Sequence, residues 1–163
     1  MNPAPSLKRR STRFLQTVIV LVGIGALAFM LWEPHVEGRN AHATLYEIYF
    51  KDPFLAYAYL ASIAFFVALY QAFRLFGYVG QNKAFSSSSV RALRTIKRCA
   101  IALIVLIGAA VAYLLIAVRG KDDIAGGVAM GLFMIFMSVV VAAAAGVFER
   151  RLRNAMDKSP RTT

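Results

Sequence analysis

The side chains that could carry chemistry in this 163-residue chain are few. His35 and His42 share a polar stretch with two glutamates, but a zinc site needs several ligands converging on one point, and their spacing matches no zinc pattern. Asp122 and Asp123 form the other acidic group, which is too small to predict a cation site. Because carboxylates accept hydrogen bonds at a helix start and favour its positive end, both are predicted to cap the helix that follows.

Motifs for catalysis are absent from the sequence. There is no HExxH, no Ser/His/Asp constellation and no glycine-rich phosphate loop. The single cysteine, Cys99, excludes an internal disulfide framework and is predicted to pack as a small apolar residue. The sequence therefore predicts no catalytic, cofactor or metal site, and a protein that is not an enzyme.

The elements around these residues are strongly apolar. Hydrophobic residues make up 59% of the chain and are concentrated in four blocks, which predict transmembrane spans at about 14–32, 54–73, 99–118 and 124–148. The expected fold is an all-α integral membrane protein, an antiparallel bundle of four transmembrane helices with a loop at 74–98 and tails at 1–13 and 149–163. Cleavage of the first span as a signal peptide, near Ala26-Leu27-Ala28, is the alternative. A retained helix is favoured because the apolar run continues to Trp32.

Charge predicts the topology. The net charge is +11, and 15 of the 19 Lys and Arg residues lie in the two tails and the 74–98 loop. Basic segments stay on the cytoplasmic side during insertion, so both termini and this loop are predicted to be cytoplasmic. Because the cations lie in short segments between apolar blocks, the predicted partner is the lipid bilayer with its anionic headgroups, and not nucleic acid.

Central parts of the predicted spans carry no Asp, Glu, Lys, Arg or His. Ion-coupled transporters usually bury such a residue, so its absence argues against them, although a passive channel remains compatible.

Four cations lie on a predicted amphipathic helical segment just before the third span: Arg91, Arg94, Lys97 and Arg98. Near an anionic leaflet each would contribute about 1 kcal/mol of attraction. Lipid anchoring is therefore predicted for this group. Docking of an acidic protein partner, in the membrane or the cytoplasm, is the alternative. The serines from Ser86 to Ser89 offer N-caps for this helix.

Small residues recur at four-residue spacing in the last span, at Gly127, Gly131, Ala142 and Gly146. Such spacing lets helix backbones approach closely. Packing within the chain is the predicted use of this face, and a homo-oligomer seam is the alternative.

The middle of the chain resembles a known bacterial membrane family. The resemblance is carried by Tyr70-Gln71-Ala72-Phe73, Asn82-Lys83-Ala84-Phe85-Ser86, Val90, Ala92-Leu93, Ile96-Lys97, Cys99-Ala100, Asp122-Asp123 and Gly126. On these residues the chain resembles the family catalogued as domain of unknown function 2975. It departs from the family pattern at Ile124-Ala125, where Ala-Pro is common, and lacks the Asn-Asp-Leu-Thr-Val tail that many members carry.

The resemblance implies four transmembrane helices in the bacterial plasma membrane and, in many members, a neighbouring gene for a small helix-turn-helix regulator. It implies no activity. We therefore expect a non-enzymatic, multi-pass inner-membrane protein that acts by interaction or regulation. The alternative is a small channel or transporter subunit that assembles as an oligomer through the Gly127/Gly131 face.

Overall fold

Four long helices make up the described part of the chain. The computed structural model describes residues 5–36, 53–118 and 124–158. Helix α1 spans Pro5–Val36, α2 spans Pro53–Gly80, α3 spans Ser87–Tyr113 and α4 spans Ala125–Lys158. A π-helical turn, Leu114–Val118, continues α3.

Apolar side chains cover the outside of the bundle. Trp32, Ile116 and Phe133 expose 73%, 83% and 60% of their surfaces, which would be unfavourable in water. All four helices are long and apolar enough to cross a membrane, and the described residues contain no strand. The predicted all-α, four-helix membrane fold is therefore confirmed.

The helices extend beyond the predicted apolar spans. Helix α1 begins at Pro5 inside the basic tail, α2 continues seven residues past the second span, and α4 runs into the C-terminal tail. Helix α3 begins at Ser87, twelve residues before the third span. Hydrophobicity marks only the part of a helix that lies in hydrocarbon, whereas Arg, Lys and Leu continue a helix readily in a polar setting.

Consecutive helices are antiparallel neighbours. The Gln16 amide of α1 donates to the Phe73 carbonyl near the end of α2 over 3.2 Å, and Tyr59 near the start of α2 donates to Met30 near the end of α1 over 2.9 Å. Tyr57 donates to the Leu106 carbonyl of α3 over 2.7 Å. Such side-chain hydrogen bonds join helices where hydrophobic packing is weak, as it is in lipid.

The connection between α2 and α3 is closed at both ends by hydrogen bonds. Asn82 has a positive φ of 59°, and the Lys83 N–H donates to the Tyr78 carbonyl over 2.8 Å, which together form a Schellman-type helix end. Ser86 caps α3 by accepting from the Ser89 N–H over 3.2 Å, which confirms a serine N-cap. The fully buried Ser89 hydroxyl donates to the Lys83 carbonyl over 3.1 Å. The two helix ends are therefore fixed to each other.

Helix α3 lies between α2 and α4. Its buried Leu93 and Ile96 pack against Ala145 of α4, with Ala72 of α2 beside them. Farther along, Gly131 of α4 lies so close to Val111 of α3 that a Cβ at position 131 would overlap the valine methyl. Helices α3 and α4 thus touch at both ends of their shared length.

Candidate functional site at the basic end

One end of the bundle gathers the start of α1, the end of α2, the start of α3 and the end of α4. We call this the basic end. Because neighbouring helices are antiparallel, basic residues that are far apart in sequence lie at this same end, among them Arg10, Arg74, Arg94 and Arg153.

At the basic end, a buried carboxylate joins α3 to α4. Glu149 of α4 exposes only 4% of its surface. Its Oε1 accepts from Arg94 Nε and Arg153 Nη2, each over 2.9 Å, and its Oε2 accepts from Lys97 Nζ over 2.6 Å. We call these four residues the Glu149 cluster. Because ionised groups form the strongest hydrogen bonds, the cluster is a strong polar link between the two helices.

Sequence spacing explains how this cluster forms. Arg94 and Lys97 are one turn apart on α3, and Arg153 is one turn after Glu149 on α4. The aliphatic part of Lys97 packs over α4 at Gly146, where a Cβ would lie 3.5 Å from Lys97 Cδ. Three cations surround one carboxylate, so the cluster keeps a positive excess.

The four predicted lipid-docking cations divide into two pairs. Arg94 and Lys97 turn toward α4 and bind Glu149. Arg91 and Arg98 are exposed, on the side of α3 next to Arg94 and away from Lys97. Arg91 makes a long, 3.4 Å contact with the Ser88 hydroxyl of its own helix. The group predicted from the sequence is therefore not one surface.

The small residues of α4 lie mainly against α3. Gly131 contacts Val111, and a Cβ on Gly127 would lie 3.4 Å from Leu114 Cδ1. Gly146 meets Lys97, and Ala142 is half-buried. Gly131 and Gly146 are therefore used in packing within the chain, whereas Gly127 is exposed.

Other predicted site residues have different outcomes. Asp122 and Asp123, the predicted caps of α4, lie outside the described residues, as does His42. Within ranges 5–36, 53–118 and 124–158, no group of three or more His, Cys, Asp or Glu side chains could hold a metal ion.

Arg74, near the end of α2, forms a second polar feature of the basic end. Its guanidinium lies 5.7 Å from the ring centres of both Tyr70 and Tyr78, and its Nη2 donates to the Tyr78 hydroxyl over 2.6 Å. Residues one turn before and one turn after the arginine therefore hold it by cation–π contact. Spacing of Tyr, Arg and Tyr at four residues was the signal available in the sequence.

Phe85 is the exposed aromatic residue of the connection. Its surface is 71% exposed, although the connection that carries it is fixed at both ends. The neighbouring Gln81, Asn82 and Lys83 are also exposed. A fixed turn therefore presents an aromatic ring within a polar rim.

The central residues that carry the family resemblance now have a physical explanation. Asn82 supplies the positive φ, Lys83 takes part in the hydrogen bonds of both helix ends, and Ser86 caps α3. Ala72 and Leu93 pack in the core at this end, and Lys97 binds Glu149. Most motif residues thus build the basic end, whereas Phe85 is exposed.

Comparison with known proteins agrees with this geometry. The model of a family described as "Protein of unknown function (DUF2975)" matches residues 37–159. The chain is 40% identical over 154 residues to the "Uncharacterized membrane protein YoaS" of Bacillus subtilis (strain 168), covering 93% of this chain and 94% of that protein. No solved structure matches the chain. With the family model covering most of its length, this four-helix membrane protein belongs to the DUF2975 family.

Proposed function

We propose that this protein acts by interaction and not by catalysis, and that its α2–α3 connection docks a cytoplasmic protein with an acidic surface. The observation that carries the proposal is Phe85, which is 71% exposed on a turn fixed at both ends. An aromatic side chain surrounded by a polar rim is the usual anatomy of an energetically dominant contact in an interface.

Fixed geometry supports docking at this turn. Ordering a flexible loop on binding costs free energy, and a preorganised loop avoids that cost. The buried Ser89 hydroxyl and the Schellman-type end at Asn82 already order the connection. A ring held in this way can enter a partner's pocket with little further loss of conformational entropy.

Charge supports an acidic partner. Lys83 lies in the connection itself, and the Glu149 cluster behind it retains a positive excess. Such a surface attracts acidic proteins and repels basic ones. If the basic end is cytoplasmic, as the charge distribution predicts, the partner is a cytoplasmic protein or the cytoplasmic part of a membrane protein. The family resemblance makes a small helix-turn-helix regulator the first partner to test.

The channel alternative has less structural support. It requires the Gly127/Gly131 face as a seam between copies, and Gly131 is already buried against Val111 of α3. Saturable solute flux through proteoliposomes of the purified protein would contradict the interaction proposal.

Site-specific photocrosslinking in growing cells tests the docking surface. Benzoyl-phenylalanine replaces Phe85 in one variant and Phe133 in a control; Phe133 is similarly exposed, at 60%, but lies within the apolar run of α4. We expect a discrete protein adduct at position 85, weakened by Lys83→Glu in the same chain, and none at position 133. The same adduct pattern at both positions, or no protein adduct at position 85, would contradict the proposal.

A further inference from the structure

Arg91 and Arg98 share one line along α3. They are seven residues apart, which is two helical turns and about 10 Å along the axis. Both side chains are exposed, in contrast to the half-buried Arg94 and Lys97, which bind Glu149. These two arginines therefore form the exposed basic face of α3.

That face continues directly into the lipid-facing surface of the same helix. Ala102 follows Arg98 by four residues and Val105 by seven, so all three lie on nearly the same side of α3. Both apolar residues are exposed, with Val105 at 65%. Since an exposed valine in this span contacts hydrocarbon, the arginines above it lie on the perimeter of the bundle and not on its end.

The positions of the two arginines relative to the apolar run indicate which ligand they meet. Arg98 comes immediately before the uncharged run 99–118, and Arg91 is two turns farther out. A long cationic side chain at the end of such a run reaches the headgroup layer, where lipid phosphates are concentrated. A soluble partner that approaches the end of the bundle would meet the α2–α3 connection before this perimeter face.

We propose that Arg91 and Arg98 form a binding site for anionic lipid headgroups on the perimeter of α3. The site differs from the docking surface of the proposed function in its residues, its face and its ligand. Arg94 and Lys97, which the sequence placed in the same group, take no part because their side chains turn toward α4 and bind Glu149.

Spin-labelled lipids measure this binding without any other protein. The purified protein is reconstituted in phosphatidylcholine, and the motionally restricted fractions of spin-labelled phosphatidylglycerol and phosphatidylcholine give their relative affinities. The test variant is Arg91→Gln/Arg98→Gln. The control, Lys83→Gln/Lys158→Gln, removes the same charge from exposed residues of the basic end that lie beyond the apolar runs.

The wild type and the control should prefer phosphatidylglycerol, and the test variant should lose about fivefold of that preference for each arginine removed. An unchanged preference in the test variant would overturn the proposal, and so would an equal loss in both variants, which would indicate bulk charge alone. The single variant Arg98→Gln keeps the test usable if the double variant fails to fold. Failure here leaves the Phe85 crosslinking result unaffected, so the two proposals are separable.

Discussion

Replacing Glu149 by Gln tests whether the Glu149 cluster holds α3 and α4 together. Breaking a buried ion pair by removing one partner typically costs about 3–5 kcal/mol, since a charge is left without compensation. Here the three cations are 34–53% exposed and would regain part of their hydration. Glutamine also keeps one acceptor oxygen. We therefore expect the free energy of unfolding to fall by about 2–3 kcal/mol.

Unfolding by SDS in mixed micelles, followed by far-ultraviolet circular dichroism, gives this free energy. Asp157→Asn is the matched control, because it removes the same charge from an exposed position on the same helix. We expect the control to change stability by no more than about 0.5 kcal/mol. Since both variants make the basic end more positive, membrane insertion should be retained in each. Equal stability of the two variants would refute the structural role of the Glu149 cluster.

Two further predictions concern helix packing and topology. Gly131→Ala should reduce the free energy of unfolding by about 1–3 kcal/mol because the added methyl overlaps Val111, whereas Gly108→Ala, which has open space around it, should change stability little. Adding Val111→Ala should restore the stability of the Gly131→Ala variant. Equal effects of the two glycine variants would contradict the close contact. In a Cys99→Ser background, a cysteine at Asn40 should react with an impermeant thiol reagent in intact cells. Three other single-cysteine positions should resist the reagent: Ser6, Ser87 and Ser159. External labelling at Ser87 would reverse the predicted topology.

Hydrophobicity and capping were readable from the sequence because each is local. Four apolar blocks predict four membrane helices, and a serine run before Val90 predicts the N-cap that Ser86 provides. Those signals need no knowledge of neighbouring helices. The helices predicted from these signals are also too short, because Arg and Lys continue a helix beyond its apolar part.

Glu149 was missed because its role depends on helix register. Counting cations treats Arg91, Arg94, Lys97 and Arg98 alike, and only the packing of α3 on α4 shows which two face the carboxylate. A signal was present: Glu149 is an acid at the start of a basic segment, with an arginine one turn later. The partners 52 and 55 residues earlier could not be read from sequence alone.

The two contacts between α3 and α4 have a mechanical consequence. Gly131 meets Val111 near one end of the pair, and Glu149 binds Arg94 near the other, about 27 Å away along α4 at the usual rise per residue. Sliding one helix by a turn would break both contacts at once, so α3 and α4 should move as one rod. Helix α1, in contrast, is joined to α2 by hydrogen bonds at Gln16 and Tyr59. We therefore expect α1 to move more easily than the rod, because its packing against α2 is less extensive than the packing of α3 on α4.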